Sequence, residues 1–165
     1  LGYGILDLGE TRSLFGAYEE GKLYFSRPLV DISNQALVKL VQQETGISED
    51  EAGQIKEAIL RPSEPVPPEK IGSLLPVFFS RVAIEIQRSL DAYSLLFHGG
   101  KKIDRLLLCG GGAVLPGLRD SLTKNVGVPT GFIDPFDGWS VEGGDREGGD
   151  RHLFPVAAGL ALYKG

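Results

Sequence analysis

Methionine is absent from all 165 residues, position 1 included, and the chain opens with Leu1-Gly2 directly into a strand-like run. We read it as a piece of a longer protein, whose other half would hold half of any active site. A single cysteine, Cys109, excludes an internal disulfide and fits a reducing compartment. Two histidines, His98 and His152, and that lone thiol are too few for a metal cluster. No apolar run approaches the ~20 residues of a membrane span, and no secretory signal pattern is present. Basic residues do not dominate: 17 against 22 acidic ones leave a net charge of −5, which argues against nucleic acid or anionic lipid as a general partner. The length suits one domain with a real core.

Glycine is abundant and unevenly placed. In Arg105–Gly117, RLLLCGGGAVLPG, the apolar run Leu106–Leu108 meets Gly110, Gly111 and Gly112, then Ala113. This reads as a buried strand, a glycine turn and a helix from about Leu115, with Pro116 in its first turn. Glycines there let the backbone approach another group closely, either a neighbouring element or a flat ligand such as adenine. No Gly-Lys-Ser/Thr follows, so this is not a P-loop, and the G-x-G-x-x-G spacing is missing.

Upstream, Tyr3–Leu8, Ser13–Tyr18 and Lys22–Arg27 are short β-prone runs separated by turns at Gly9–Arg12 and Glu20-Gly21, a three-stranded meander. Helical spacing then takes over. Leu37, Leu40 and Val41 share a face; Ser48-Glu49-Asp50-Glu51 fits a capping box, with Ala52, Ile55 and Ile59 beyond it. The connector Pro62–Pro68 is proline-rich. Ile71, Leu74, Leu75, Phe78, Phe79, Val82, Ile86 and Leu90 form a long amphipathic stripe, read as core, with Pro76 marking a kink or restart. After the glycine turn come a short strand, Thr130–Ile133, and a polar loop over 137–151 carrying EGGDR twice. A flexible solvated insertion is a better reading of that loop than a calcium site. Phe154–Tyr163 closes as a helix whose Ala157, Ala158, Gly159 and Ala161 suit close packing. The order βββ–α–α–α–β–α–β–α implies an α/β mixed sheet with helices packed on it.

The first turn reads Asp7-Leu8-Gly9-Glu10-Thr11-Arg12-Ser13. An acidic residue at a strand end can hold a metal-bound water, Gly9 lets N–H groups point at a phosphate, and Thr11, Ser13 and Arg12 add hydroxyls and charge. The same residues also suit an ordinary β-turn.

A hairpin D-x-G with hydroxyls, followed about a hundred residues later by a strand–GGGA–helix turn, resembles the second half of the actin-like ATPase fold (ribonuclease H-like). The hairpin matches that superfamily's second phosphate motif and the GGGA turn its adenosine motif. Gly21–Arg27, Gly46–Lys56, Leu108–Leu118, Asp134-Pro135-Phe136 and Pro155–Leu162 are similar to segments of the PilM family of type IV pilus assembly proteins. The GspL family of type II secretion is a close second.

The resemblance implies one actin-like domain II fragment over 1–165, with a smaller helical subdomain at 34–68. Gly9, Thr11 and Arg12 would lie near the phosphates, Lys56 would approach the adenine from the smaller subdomain, and Gly110, Gly111, Gly112 and Ala113 would bracket the nucleoside. Asp7 would face the metal. The implied cofactors are ATP and Mg²⁺, held only with the missing half. The implied role is a non-catalytic or weakly ATPase scaffold on the inner face of the inner membrane. Its partners would be inner-membrane pilus or secretion proteins and the rest of the same protein. The chain departs from the family pattern twice. Glu10 stands where a small residue is usual, a carboxylate that repels phosphate unless Arg12 or Mg²⁺ offsets it. Asp31–Gln35 replaces a Gly-Gly pair. Both departures suit the alternative of an interaction module that has lost nucleotide; half of a sugar- or acetate-kinase-type enzyme is the third reading.

Overall fold

The computed structural model describes residues 1–60, 73–97, 102–137 and 151–162. Three antiparallel strands open the chain: β1 (Gly2–Leu8), β2 (Ser13–Glu19) and β3 (Lys22–Leu29). The β2–β3 connection is a two-residue turn with both φ positive, Glu20 at 49° and Gly21 at 74°. That is the hairpin geometry whose twist matches the strands. Two helices follow, α1 (Asn34–Thr45) and α2 (Glu49–Leu60), packed on one another. Next come the long α3 (Leu74–Leu96), β4 (Arg105–Cys109), α4 (Leu118–Val126), β5 (Thr130–Phe132), a 3₁₀ turn (Arg151–Leu153) and α5 (Pro155–Leu162). The sheet order is β3-β2-β1-β4-β5, antiparallel on one side of β1 and parallel on the other. This is the mixed sheet the element order implies.

Strand alternation decides what each face does. Leu6, Leu8, Phe15, Leu106 and Leu108 point to one side and are buried with Phe78, Phe79, Val82 and Ile86 of α3 and Leu118 and Leu122 of α4. From Leu74 on, the stripe read from helical spacing is therefore core, while Ile71 lies outside the described residues. Pro76 sits in the first turn of α3 and produces no internal break. On the opposite side Ile5, Leu14, Tyr18 and Leu23 line an open groove of about 330 Å³, together with Asp7, Cys109, Pro155 and Val156.

Two expectations are corrected. The helix after the glycine turn begins at Leu118, not Leu115. Pro116 lies in the preceding turn, because Gly117 takes the left-handed conformation (φ 86°) and the Leu118 N–H donates to the Leu115 carbonyl. In α5 only Ala158 is buried among the small residues. Ala157, Gly159 and Ala161 are exposed, beside Val156 and Leu160 at 65% and 70% exposure. The proline-rich connector 62–68 and residues 138–150 of the polar loop lie outside the described residues.

Candidate functional site

The β1–β2 turn rests on the start of α1. Ser33 caps that helix, accepting from the Ala36 N–H at 3.1 Å. The next two N–H groups donate to the turn itself, Asn34 to the Gly9 carbonyl at 3.0 Å and Gln35 to the Glu10 carbonyl at 2.9 Å. A helix start leaves such donors without intrahelical partners, and here the chain supplies the acceptors. The Ser13 hydroxyl, read from sequence as one more phosphate contact, is buried and donates to the Ile32 carbonyl. It ties the approach to α1 onto β2. Thr11 and Arg12 are exposed at the turn.

Glu10 meets a partner from far along the chain. Its Oε1 lies 2.8 Å from Lys56 Nζ, and its Oε2 accepts from Asn34 Nδ2 at 3.2 Å. Lys56, not the exposed Arg12, offsets the charge of this carboxylate within the chain. Lys56 is also not the solvated helix lysine that its sequence position suggests. It is 7% exposed and ion-paired with both Glu10 and Glu57, the latter at 3.0 Å. Burial opposes the charged form of both partners, but the hydrogen bonds outweigh it. Lys56 and Asn34 hold Glu10 below its ordinary range, and the two glutamates raise Lys56.

Asn34 was not singled out from the sequence. It is 3% exposed and joins the two glycine-bearing turns. Its amide lies against the third glycine turn residue, so that a Cβ on Gly112 would come within 2.6 Å of Asn34 Oδ1. That oxygen is buried and has no hydrogen-bond partner among the described residues, a state that costs about 1–3 kcal/mol. The only sequence signal was a serine cap followed at once by a polar residue.

The glycine turn closes on a neighbouring element. Gly110 has φ 84°, and a Cβ there would strike Asp7 Oδ1 and the Leu8 carbonyl. The Gly112 N–H donates to the Leu8 carbonyl at 2.9 Å. Gly111 alone has room: a Cβ there would meet nothing closer than Asn34 Nδ2 at 3.5 Å. Ala113 is 1% exposed and belongs to the core. The structure thus brings Gly9, Glu10, Asn34, Lys56 and the Gly110–Gly112 turn together.

Asp7, beside Gly110 at the end of β1, is half-buried, and burial raises its carboxyl above the ordinary range. Burial, together with the Asp7 charge, pushes the neighbouring Cys109 thiol up to about 12. Among the described residues no group of three or more His, Cys, Asp or Glu could hold a metal. Asp7 therefore fits a metal only as one ligand, directly or through water, with the others coming from a bound phosphate or from outside the chain. At the far end of the sheet Asp134 accepts from the Phe136 N–H at 2.9 Å and from Arg151 at 2.7 Å. Both hold its carboxyl below the ordinary range.

Comparison with solved structures agrees with this frame. The chain superposes on a chain of the PilM–PilN type IV pilus biogenesis complex with a TM-score of 0.72 at 23% identity, over 98% of this chain and 45% of that one. It superposes on MreB 5 of Spiroplasma citri bound to AMPPNP (TM-score 0.69, 15% identity, 99% and 52% covered). It is also similar to the ethanolamine utilization protein EutJ of Carboxydothermus hydrogenoformans (0.67, 16%, 98% and 48%). The fold is the actin-like one, and the chain spans about half the length of these structures. The sequence model of type IV pilus assembly protein PilM matches residues 2–164. With the D-x-G hairpin and the glycine turn both in place, the chain belongs to the PilM family of type IV pilus assembly proteins.

Proposed function

We propose that this chain is the second half of an actin-like scaffold in a type IV pilus assembly platform, holding nucleotide as a structural or regulatory ligand. The observation that carries the reading is the PilM family match over residues 2–164. It is supported by the meeting of the D-x-G turn, Lys56 and the glycine turn around Asn34. ATP with Mg²⁺ is the ligand in this reading. Gly9, Thr11 and Arg12 face its phosphates, Lys56, drawn to the turn by Glu10, lies on the phosphate side and not at the adenine, Gly111 lies toward its nucleoside, and Asp7 contributes one metal ligand. The ligand would supply a bridge between the two halves of the protein, not a chemical step.

Low or absent catalysis is part of this reading: Glu10, within the turn, is engaged by Lys56, and Asp7 is assigned to the metal. The open face of the sheet and the apolar surface of α5 support a reading in which the rest of the protein packs there.

The partner proposed is an inner-membrane pilus protein of the PilN type, since one of the similar solved structures is a PilM–PilN complex. No described helix is long and apolar enough to cross a membrane. In this reading the protein lies on the cytoplasmic side, tethered through that partner, as the PilM likeness suggests. The test is titration of MgATP into the full-length protein, with and without a peptide of the partner's cytoplasmic tail. Micromolar nucleotide binding and a stable complex are expected. A complex without nucleotide binding would leave an interaction module; neither would overturn the assignment.

A further inference from the structure

The donors that the start of α1 and Lys56 present to the β1–β2 turn are already engaged by the chain. The N–H groups of Asn34, Gln35 and Ala36 go to the Gly9 carbonyl, the Glu10 carbonyl and the Ser33 hydroxyl. Lys56 Nζ and Asn34 Nδ2 go to the two oxygens of Glu10. These contacts differ in kind. The main-chain ones belong to the turn and the helix cap and cannot be released without unravelling them. The Glu10 carboxylate ends a flexible side chain that is 54% exposed and can swing into water. The cation it holds cannot follow, because Lys56 is buried and anchored in α2. The held arrangement also leaves Asn34 Oδ1 buried beside Gly112 with no partner among the described residues. A rearranged Asn34 would relieve that defect.

We propose that Glu10 is an internal stand-in for the anionic part of a phosphorylated nucleotide, pinning the β1–β2 turn to α2 through Lys56 and giving up Lys56 and Asn34 when the ligand binds. This inference rests on the nucleotide reading above and adds its regulation. Binding exchanges one anion for another at the same buried cation, so affinity is set by how readily Glu10 leaves. Glu57 stays on Lys56, and Arg12 lies exposed two residues beyond Glu10. Arg12 is free to follow the incoming phosphate.

The experiment is titration of MgATP, and separately of tripolyphosphate, into the full-length protein as wild type, Glu10→Gln, Lys56→Met and the double variant. Amide exchange of residues 33–36 and of α2 is followed in the same samples. Glu10→Gln keeps the side-chain size and is expected to tighten MgATP at least tenfold while speeding exchange in α2 of the free protein. Lys56→Met is expected to weaken binding, and the double variant to lose most of the gain. Tripolyphosphate should show the same ranking, since the exchange concerns the anion and not the base. Equal MgATP affinity in wild type and Glu10→Gln would overturn the stand-in while leaving nucleotide binding intact. So would a double variant that keeps the full gain, because relief of repulsion alone would then explain it. No binding by any variant at millimolar MgATP would overturn the nucleotide reading itself, and the stand-in with it. Should Lys56→Met fail to fold, Lys56→Gln serves in its place.

Discussion

Arg27 on the outer strand β3 grips one turn of α3, reaching the Glu85 carboxylate at 2.8 Å, the Glu85 carbonyl at 3.3 Å and Ser89 Oγ at 3.1 Å. An edge strand has hydrogen-bonded neighbours on one side only, and this fork fastens it to the helix layer. Because Arg27 is one-third exposed, part of the interaction is screened by solvent. Arg27→Ala is expected to lower stability by about 1–2 kcal/mol, seen as an earlier midpoint in chemical denaturation. Arg27→Lys should recover less than half of the loss, since an ammonium group cannot reach all three acceptors. A full recovery by lysine would show that charge alone matters.

The Glu10–Lys56 pair has a calculable pH window. The folded pKa of Glu10 lies below its ordinary 4.5, so its contribution to stability is present above that value and lost as pH falls through the folded value. The folded pKa of Lys56 lies above its ordinary 10.5, so its contribution is complete below that value and lost as pH rises through the folded value. Between about 4.5 and 10.5 the pair is intact and adds no pH slope. Carbon NMR of the Glu10 carboxyl should therefore give a midpoint below 4.5 in the wild type, moving upward in Lys56→Met. An unchanged midpoint in that variant would mean that the two side chains do not meet in solution.

What could be read from residues alone follows the range of the forces involved. The meander was legible because strand alternation and Glu20-Gly21 are local signals. The Ser48–Glu51 capping box was legible for the same reason, and the Glu51 carboxylate accepts from the Ser48 N–H at 3.0 Å as the motif requires. The partner of Glu10 was not legible, because Lys56 stands 46 residues away and only the fold brings it close. Arg12, two residues on, was the local candidate and stays exposed. Asn34 escaped for a related reason: an asparagine at a helix start reads as solvent-facing, and its burial depends on the glycine turn arriving from more than seventy residues downstream. The small residues of α5 suggested tight packing. Within this chain most of them face solvent, because composition reports what a helix could pack against and not whether it does.

Asp7 is a carboxylate held in an environment that disfavours its charge, and burial is the cause. Its folded pKa lies above the ordinary 3.8, so the folded form gains from the proton. The sign is thus opposite to that of Glu10: stability is greatest below 3.8 and declines as pH rises through the folded value. Asp7→Asn is expected to raise the denaturation midpoint at pH 7 and to leave it unchanged at pH 3. The same substitution should lower the pKa of Cys109 from about 12, since part of that elevation is repulsion by Asp7. Alkylation of Cys109 at pH 8 should be very slow in the wild type and faster in the variant. A residue kept at a cost in stability is the pattern of a functional site, so Asp7→Asn should also weaken any Mg²⁺-dependent part of nucleotide binding.

The three glycines of the turn make different demands, and alanine separates them. Gly110 combines a left-handed φ of 84° with a Cβ position occupied by Asp7 and the Leu8 carbonyl. Alanine there meets both backbone strain and a clash with main chain that cannot move aside. Gly112 has no positive φ, but its Cβ would lie 2.6 Å from both Asn34 Oδ1 and Leu8 Cδ2. Those are side-chain atoms, though buried ones, so alanine there should cost about 1–3 kcal/mol of overpacking. At Gly111 the nearest atom would be at 3.5 Å, an ordinary contact, and no left-handed conformation is required. Gly111→Ala is therefore expected to fold with a midpoint close to wild type, while Gly112→Ala loses stability and Gly110→Ala loses more. The informative readout is nucleotide affinity in Gly111→Ala. If the turn faces a nucleoside, the added methyl projects into the one open position and weakens binding without weakening the fold. If affinity is unchanged, the glycines serve only the packing of the turn against β1 and Asn34, and the nucleoside lies elsewhere.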